Sequence, residues 1–152
     1  MNGHYISIGS SIVSSGQYGG IIGLSYEYRY KMLGFFISGG GSTSFWNQVY
    51  IGDLGGAASA GVKLYLSSKK VFLRNLYFNY LPFSYWGYAY DSYWHHYKYH
   101  LFGMGLFFGY SPIWYVNKNM ALGFNLAVGT KATYKFDIWE YINWDLGFVI
   151  KF

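Results

Sequence analysis

The last nine residues of the chain alternate strictly between large apolar side chains and small or polar ones. A period of two is the period of a β-strand, because successive side chains of a strand point to opposite faces. The pattern predicts a strand with one apolar face and one small or polar face. The apolar face holds Trp144, Leu146, Phe148, Ile150 and Phe152, and the other holds Asp145, Gly147, Val149 and Lys151.

The composition indicates which environment surrounds such strands. Hydrophobic residues make up 53% of the 152 residues and charged residues only 11%, whereas a soluble domain keeps about 25–35% of its surface charged. Much of the surface is therefore expected to face lipid. Residues 101–117 carry no charge but are broken by glycines and Pro112, so we predict no transmembrane helix. A closed sheet is the other way to satisfy every backbone group inside a bilayer.

Period-two segments recur along the chain and predict eight strands of about ten residues, the length and even number of the smallest transmembrane barrels. The clearest internal strands are residues 56–66 and 120–129. Residues 82–98, rich in Tyr, Trp and His, are predicted to be the longest irregular segment. The predicted strands cover residues 5–13, 20–30, 33–45, 56–66, 71–81, 99–110, 120–129 and 144–152.

The C-terminal pattern formed by Asp145, Gly147, Ile150 and Phe152 resembles the assembly signal of bacterial outer-membrane β-barrels. Together with the strand alternation, it makes the chain similar to the OmpX and OmpA barrel class. The resemblance implies one all-β domain over residues 1–152, an eight-stranded antiparallel up-and-down transmembrane β-barrel. It also implies contact with outer-membrane lipid and insertion by the barrel-assembly machinery.

The connections between strands suggest how the barrel is oriented. If the N-terminus lies in the periplasm, three of the four outward loops are longer than the first two inner turns, which is the usual asymmetry. We therefore predict a protein of the outer membrane of a Gram-negative bacterium with both termini in the periplasm. The alternative fold is a soluble lipocalin-like barrel, in which the apolar face would point inward.

Isolated charges on the small face predict an interior network. Glu27, Arg29, Lys63 and Asp145 fall on the polar registers of their strands, and Arg74 is assigned to the same interior. They are too few to solvate an exterior but sufficient to fill a narrow lumen by pairing. We interpret them as structural ion pairs, since such networks are common without catalysis.

The irregular segment around residue 95 contains the remaining polar candidates. Trp94, His95 and His96 are predicted to form an outer-loop contact with headgroups or a partner. On a strand His96 and His100 would lie about 13 Å apart, too far to share one metal ion. We predict no metal and no cofactor.

The small lumen argues against a porin, because eight strands leave room for side chains and no continuous channel. The 19 tyrosines and the modest loops suggest instead a non-enzymatic structural or accessory subunit of a larger outer-membrane assembly. One alternative is a lipid A or phospholipid acyl hydrolase or transferase that uses Ser92 with His95 or His96. The net charge of +5 is dispersed, so nucleic acid is not expected as a partner.

The terminal aromatic generates the first prediction. Replacing Phe152 with Ala, or deleting it, should lower the yield of inserted barrel in cells, because the last strand loses its anchoring side chain. The measurement is the folded fraction in isolated membranes. Normal folding yields with either change would show that Phe152 is not needed for insertion.

Overall fold

A computed structural model of the chain describes residues 3–14, 18–44, 54–67, 69–91, 96–133 and 138–150. These ranges form nine strands and one helical turn. No helix in them is long and apolar enough to cross a membrane. The elements are β1 (Gly3–Ser14), β2 (Tyr18–Tyr30), β3 (Leu33–Ser44), β4 (Leu54–Tyr65), α1 (Val71–Arg74), β5 (Leu76–Asp91), β6 (His96–Tyr110), β7 (Ile113–Tyr115), β8 (Met120–Thr133) and β9 (Ile138–Ile150).

Every strand pairs antiparallel with its neighbours, and the sheet closes on itself. The order is β6-β5-β4-β3-β2-β1-β9-β8, and an additional pairing between β6 and β8 completes the circle. The three-residue strand β7 adds only a short ladder to β8. The predicted all-β, eight-stranded up-and-down barrel is therefore confirmed.

One end of the barrel carries tight connections. β2 and β3 are joined by the two residues Lys31 and Met32, and Lys31 adopts a left-handed backbone conformation with φ 54°. α1 and residues 111–119 lie at this same end, which we call the turn end. The backbones of Gly3 and Ile150 also lie there, since Gly3 pairs with Arg29. The connections at the far end fall outside the described residues.

The fifth predicted strand was placed wrongly. Val71–Arg74 forms α1 rather than the start of a strand, and β5 runs on through the expected irregular segment to Asp91, before β6 begins at His96. The continuation past Leu81 passes through a bulge, because the register of β5 against β6 shifts between Leu81 and Ser84. Pro82 lies in this shift, where a residue without an N–H group does not interrupt a regular ladder.

The burial pattern places the apolar face outside. Leu24 is 59% exposed and Leu106 is 62% exposed, whereas Glu27 is 1% exposed and Lys63 is 5% exposed. This polarity excludes the soluble lipocalin-like alternative. Over the described side chains, the exterior is an apolar belt of the kind that faces lipid in transmembrane barrels.

Several inward glycines are required by the narrow lumen. A Cβ atom at Gly40 would lie within 2.6 Å of the Cα of Gly23 on β2, and the backbone there cannot yield as a flexible side chain can. The neighbouring Gly39 points outward, and its nearest atom would be the Ala57 carbonyl oxygen at 3.7 Å. Packing inside the barrel therefore requires a glycine at position 40 but not at position 39.

This contrast gives a matched test. Gly40→Ala should lower the free energy of unfolding by about 1–3 kcal/mol through overpacking, whereas Gly39→Ala should leave it unchanged or raise it by up to about 1 kcal/mol, because alanine is the better strand former. Urea unfolding of the barrel in lipid vesicles measures both. Equal effects of the two substitutions would contradict the assignment of inner and outer faces on β3.

Candidate functional site: a buried ion cluster in the lumen

Glu27 is the centre of a hydrogen-bonded cluster inside the barrel. Its Oε1 accepts hydrogen bonds from Arg29 Nε at 2.7 Å and from the Tyr65 hydroxyl at 2.6 Å. Its Oε2 accepts one from Lys63 Nζ at 2.8 Å. Both carboxylate oxygens therefore have charged or hydroxyl donors, as a buried carboxylate requires.

The strand register brings these residues together. Glu27 and Arg29 share a face because they are two residues apart on β2, and Lys63 and Tyr65 share one on β4 for the same reason. β3 lies between these strands, and its Gly34 pairs with both Arg29 and Lys63. A Cβ atom on Gly34 would collide with Glu27 Oε1. The glycine therefore opens the space in which side chains from β2 and β4 meet.

The cluster contains two cations and one anion, and the two cations also contact the faces of aromatic rings. The guanidinium carbon of Arg29 lies 4.5 Å from the centroid of the Tyr65 ring and 4.9 Å from that of Tyr5. Lys63 Nζ lies 5.0 Å from the centroid of Tyr77. Aromatic faces attract cations more strongly where water is excluded.

Arg29 also connects the cluster to the turn end. Its Nη2 donates a hydrogen bond of 2.8 Å to Ser111 Oγ, in the connection after β6. The backbone N–H of Ser111 in turn donates to the Asn75 carbonyl oxygen beside α1. The buried charges thus fix the segments that cover the turn end of the lumen.

Polar side chains fill the lumen above the cluster. The Tyr77 hydroxyl donates a hydrogen bond to Asn125 Oδ1, and Lys131 on β8 is buried nearby. A cavity of about 30 Å³ between these groups has space for one water molecule. The described part of the lumen therefore contains no continuous passage.

The structure brings three of the predicted network residues together and places the others elsewhere. Glu27, Arg29 and Lys63 meet, but the expected interior position of Arg74 is wrong, because this residue is exposed on α1. The Cα of Asp145 pairs in register with that of Asn125, a buried residue, while the side chain of Asp145 is outside the described residues.

The remaining predicted residues are only partly described. The backbones of Gly147 and Ile150 pair with β1 and β8 in the closing strand. Trp94, His95, Phe152 and the side chain of His96 lie outside the described residues. Among the described residues, no group of three His, Cys, Asp or Glu side chains could hold a metal ion.

The predicted network lacks several residues of the lumen, among them Tyr65, Lys131 and Ser111. The sequence does indicate an inward position for Tyr65, because it lies two residues after Lys63 on the same strand face. Lys131 lies beyond residue 129, where the predicted strand ends, but β8 continues to Thr133. Ser111 reaches Arg29 only because the barrel closes, which no local pattern indicates.

Solved structures with the same architecture identify the fold. The structure of Neisserial surface protein A (NspA) matches with a TM-score of 0.62 and 14% sequence identity, covering 98% of this chain and 97% of that one. The attachment invasion locus protein Ail of Yersinia pestis matches over the full length of both chains, with a TM-score of 0.57 and 16% identity. The fold is that of a small outer-membrane β-barrel.

A second structure of Ail, in complex with the heparin analogue sucrose octasulfate, matches this barrel with a TM-score of 0.55 and 15% identity. No protein-family model matches the chain, and no curated protein matches its sequence. At these identities the similarity to outer-membrane barrels concerns the fold. The cluster around Glu27 is accordingly interpreted from its own geometry.

In this outer-membrane barrel fold the cluster stabilises the lumen, which can be tested at Glu27. Glu27→Gln keeps the shape but leaves Arg29 and Lys63 buried without a counter-charge, and should cost about 3–5 kcal/mol of unfolding free energy. Tyr65→Phe removes one hydrogen bond to a charged group and should cost about 1.5–3 kcal/mol.

The measurement is urea unfolding in vesicles followed by tryptophan fluorescence. Lys118→Gln is the control, because Lys118 is an exposed cation at the turn end. A Glu27→Gln protein as stable as the control would show that the cluster does not support the barrel.

Proposed function

We propose that the chain is a non-enzymatic outer-membrane barrel that serves as a structural or accessory subunit of a larger outer-membrane assembly. The observation that carries the proposal is a patch of very small residues on the lipid-facing side of β3 and β4. We call it the small-residue wall. It consists of Gly39, Gly41, Gly56, Ala58 and Ala60.

The wall is continuous across two strands. Gly39 pairs with Ala58, and Gly41 pairs with Gly56, so the small residues lie side by side. They occupy the same face as Ile37, which is exposed. The wall is therefore a shallow depression in the apolar belt.

Packing within the barrel does not require these glycines. A Cβ atom at Gly39, Gly41 or Gly56 would meet its nearest atom at 3.7, 3.9 or 3.8 Å, which is ordinary contact. Glycine weakens a strand by about 0.5–1 kcal/mol relative to alanine. Small residues do allow the backbone of another transmembrane element to approach closely. Close packing against a protein neighbour would explain why the small-residue wall contains glycine.

The opposite side of the barrel has a different surface. In the ring of eight long strands β8 lies across from β3, and the outward side chains of β8 include the bulky Leu122, Leu126 and Val128, all exposed. Bulky aliphatic and aromatic side chains suit contact with lipid chains. One side is thus suited to lipid and the other to a partner.

The filled lumen supports a structural role over a pore or a catalyst. Ion pairs and aromatic rings occupy the interior, so solutes have no path through its described part. The enzyme alternative rests on Ser92 and His95, which lie outside the described residues, and no observation favours it.

The proposed orientation places the turn end in the periplasm. Lys31, Lys69, Lys70 and Lys118 lie at that end, and the barrel fold of the neighbours supports the outer membrane as the location. Periplasmic termini follow from this orientation.

Partner capture tests the proposal. Extraction of the tagged full-length chain in a mild detergent should recover stoichiometric partner proteins. Gly39→Leu or Ala58→Leu should reduce their recovery without unfolding the barrel, because each adds bulk to the wall alone. Val128→Phe adds bulk on the opposite side and should leave recovery unchanged.

Recovery of a lone monomer from native membranes would contradict the accessory role. Equal recovery with Ala58→Leu and Val128→Phe would contradict the small-residue wall as the contact surface.

A further inference from the structure

A basic cavity opens at the turn end of the barrel. Its volume is about 380 Å³, within the range of about 300–1,000 Å³ typical of small-molecule sites. Its lining includes three cationic side chains and two polar ones, with no carboxylate. These are Arg29, Lys31, Arg74, Ser67 and Asn75.

The charges around the cavity reinforce its basic character. At its floor Glu27 forms ion pairs with both Arg29 and Lys63, so these three groups together keep one net positive charge. Lys69, Lys70 and Lys118 are exposed at the same end. Of the acidic residues in the described ranges, Asp91 and Glu140 lie at the far end, where β5 ends and β9 begins. The turn end therefore attracts anions.

The two arginines of the cavity contribute differently to phosphate binding. A guanidinium group presents parallel N–H donors that match two oxygens of a phosphate. Glu27 and Ser111 bind the Nε and Nη2 groups of Arg29 and hold its side chain in place. Arg29 therefore presents its Nη1 group to an anion, and little ordering is needed on binding. Arg74 is exposed on α1 and forms no ion pair with the described residues. Ser67 and Asn75 offer further donors.

Aromatic side chains place the cavity near the level of lipid headgroups. Tyr30, Phe72, Trp114 and Tyr115 are all exposed at the turn end. Exposed aromatic rings at strand ends mark the boundary between hydrocarbon and headgroups in membrane barrels. The cavity lies beside these exposed aromatic side chains, so a phosphate group at the membrane surface can reach it.

We propose that this cavity binds a phosphate group, supplied by the headgroup of an anionic phospholipid or by a soluble phosphate ester. Arg74 and Lys31 attract the anion at the rim, and Arg29 receives it at the floor. The proposal does not depend on a protein partner at the small-residue wall.

Titration of the purified full-length barrel in an uncharged detergent tests the proposal with two probes. One probe is inorganic phosphate, and the other is dihexanoyl phosphatidic acid, kept below its micelle concentration. The backbone amide signal of Asn75, assigned by NMR, reports occupancy of the cavity. We expect saturable shifts with at least one probe.

The matched variants separate the cavity from general surface charge. Arg74→Ala should weaken binding about tenfold or more, because it removes a charge-assisted bidentate contact. Arg74→Lys should weaken it less, because the charge remains without the planar fork. Lys118→Ala removes a cation at the same end but outside the cavity, and should change the affinity by less than about twofold.

The two probes identify the source of the phosphate. Binding of the lipid alone assigns a phospholipid headgroup, and equal binding of both probes assigns a soluble phosphate. Absence of saturable binding with both probes would overturn the proposal, as would equal losses with Arg74→Ala and Lys118→Ala.

Discussion

The constraint on which the whole structure depends is closure of the backbone ladder. Inside a bilayer an unpaired N–H or C=O group has no water to bind, so a sheet can cross only if its first and last strands pair. Here β1 pairs with β9, and β6 pairs with β8. Once the ring is closed, successive side chains of each strand point alternately into the lumen and toward the lipid.

The lumen explains features that would otherwise seem unrelated. Eight strands enclose a space just wide enough for side chains, so large inward residues need an inward glycine beside them. Gly34 makes room for Glu27, and Gly109 makes room for Tyr77. Buried cations from β2 and β4 then share one carboxylate and several aromatic faces. The same cluster also anchors the segment around Ser111 at the turn end, through the hydrogen bond from Arg29.

The alternation of side chains was sufficient to predict most strands, and the failures have physical causes. The bulge at Pro82 shifts the period, so β5 could not be followed past Leu81, and the apolar run before it is a helical turn. The predicted strand over residues 120–129 excludes Lys131 because the alternation of large outward side chains ends at Val128. Contacts such as Arg29 with Ser111 arise from residues 82 positions apart and depend on closure, which no local pattern contains.

The central claim is that the polarity of the barrel is inverted, and spin labels on β6 test it most directly. The chain has no cysteine, so single cysteines can be introduced at positions 102 to 108 and labelled in lipid vesicles. Labels at Phe102, Met104, Leu106 and Phe108 should be relaxed by dissolved oxygen and protected from a water-soluble nickel complex. Labels at the positions between them should show little access to oxygen from the lipid. Loss of this period of two, or strong access of nickel at Leu106, would contradict the account.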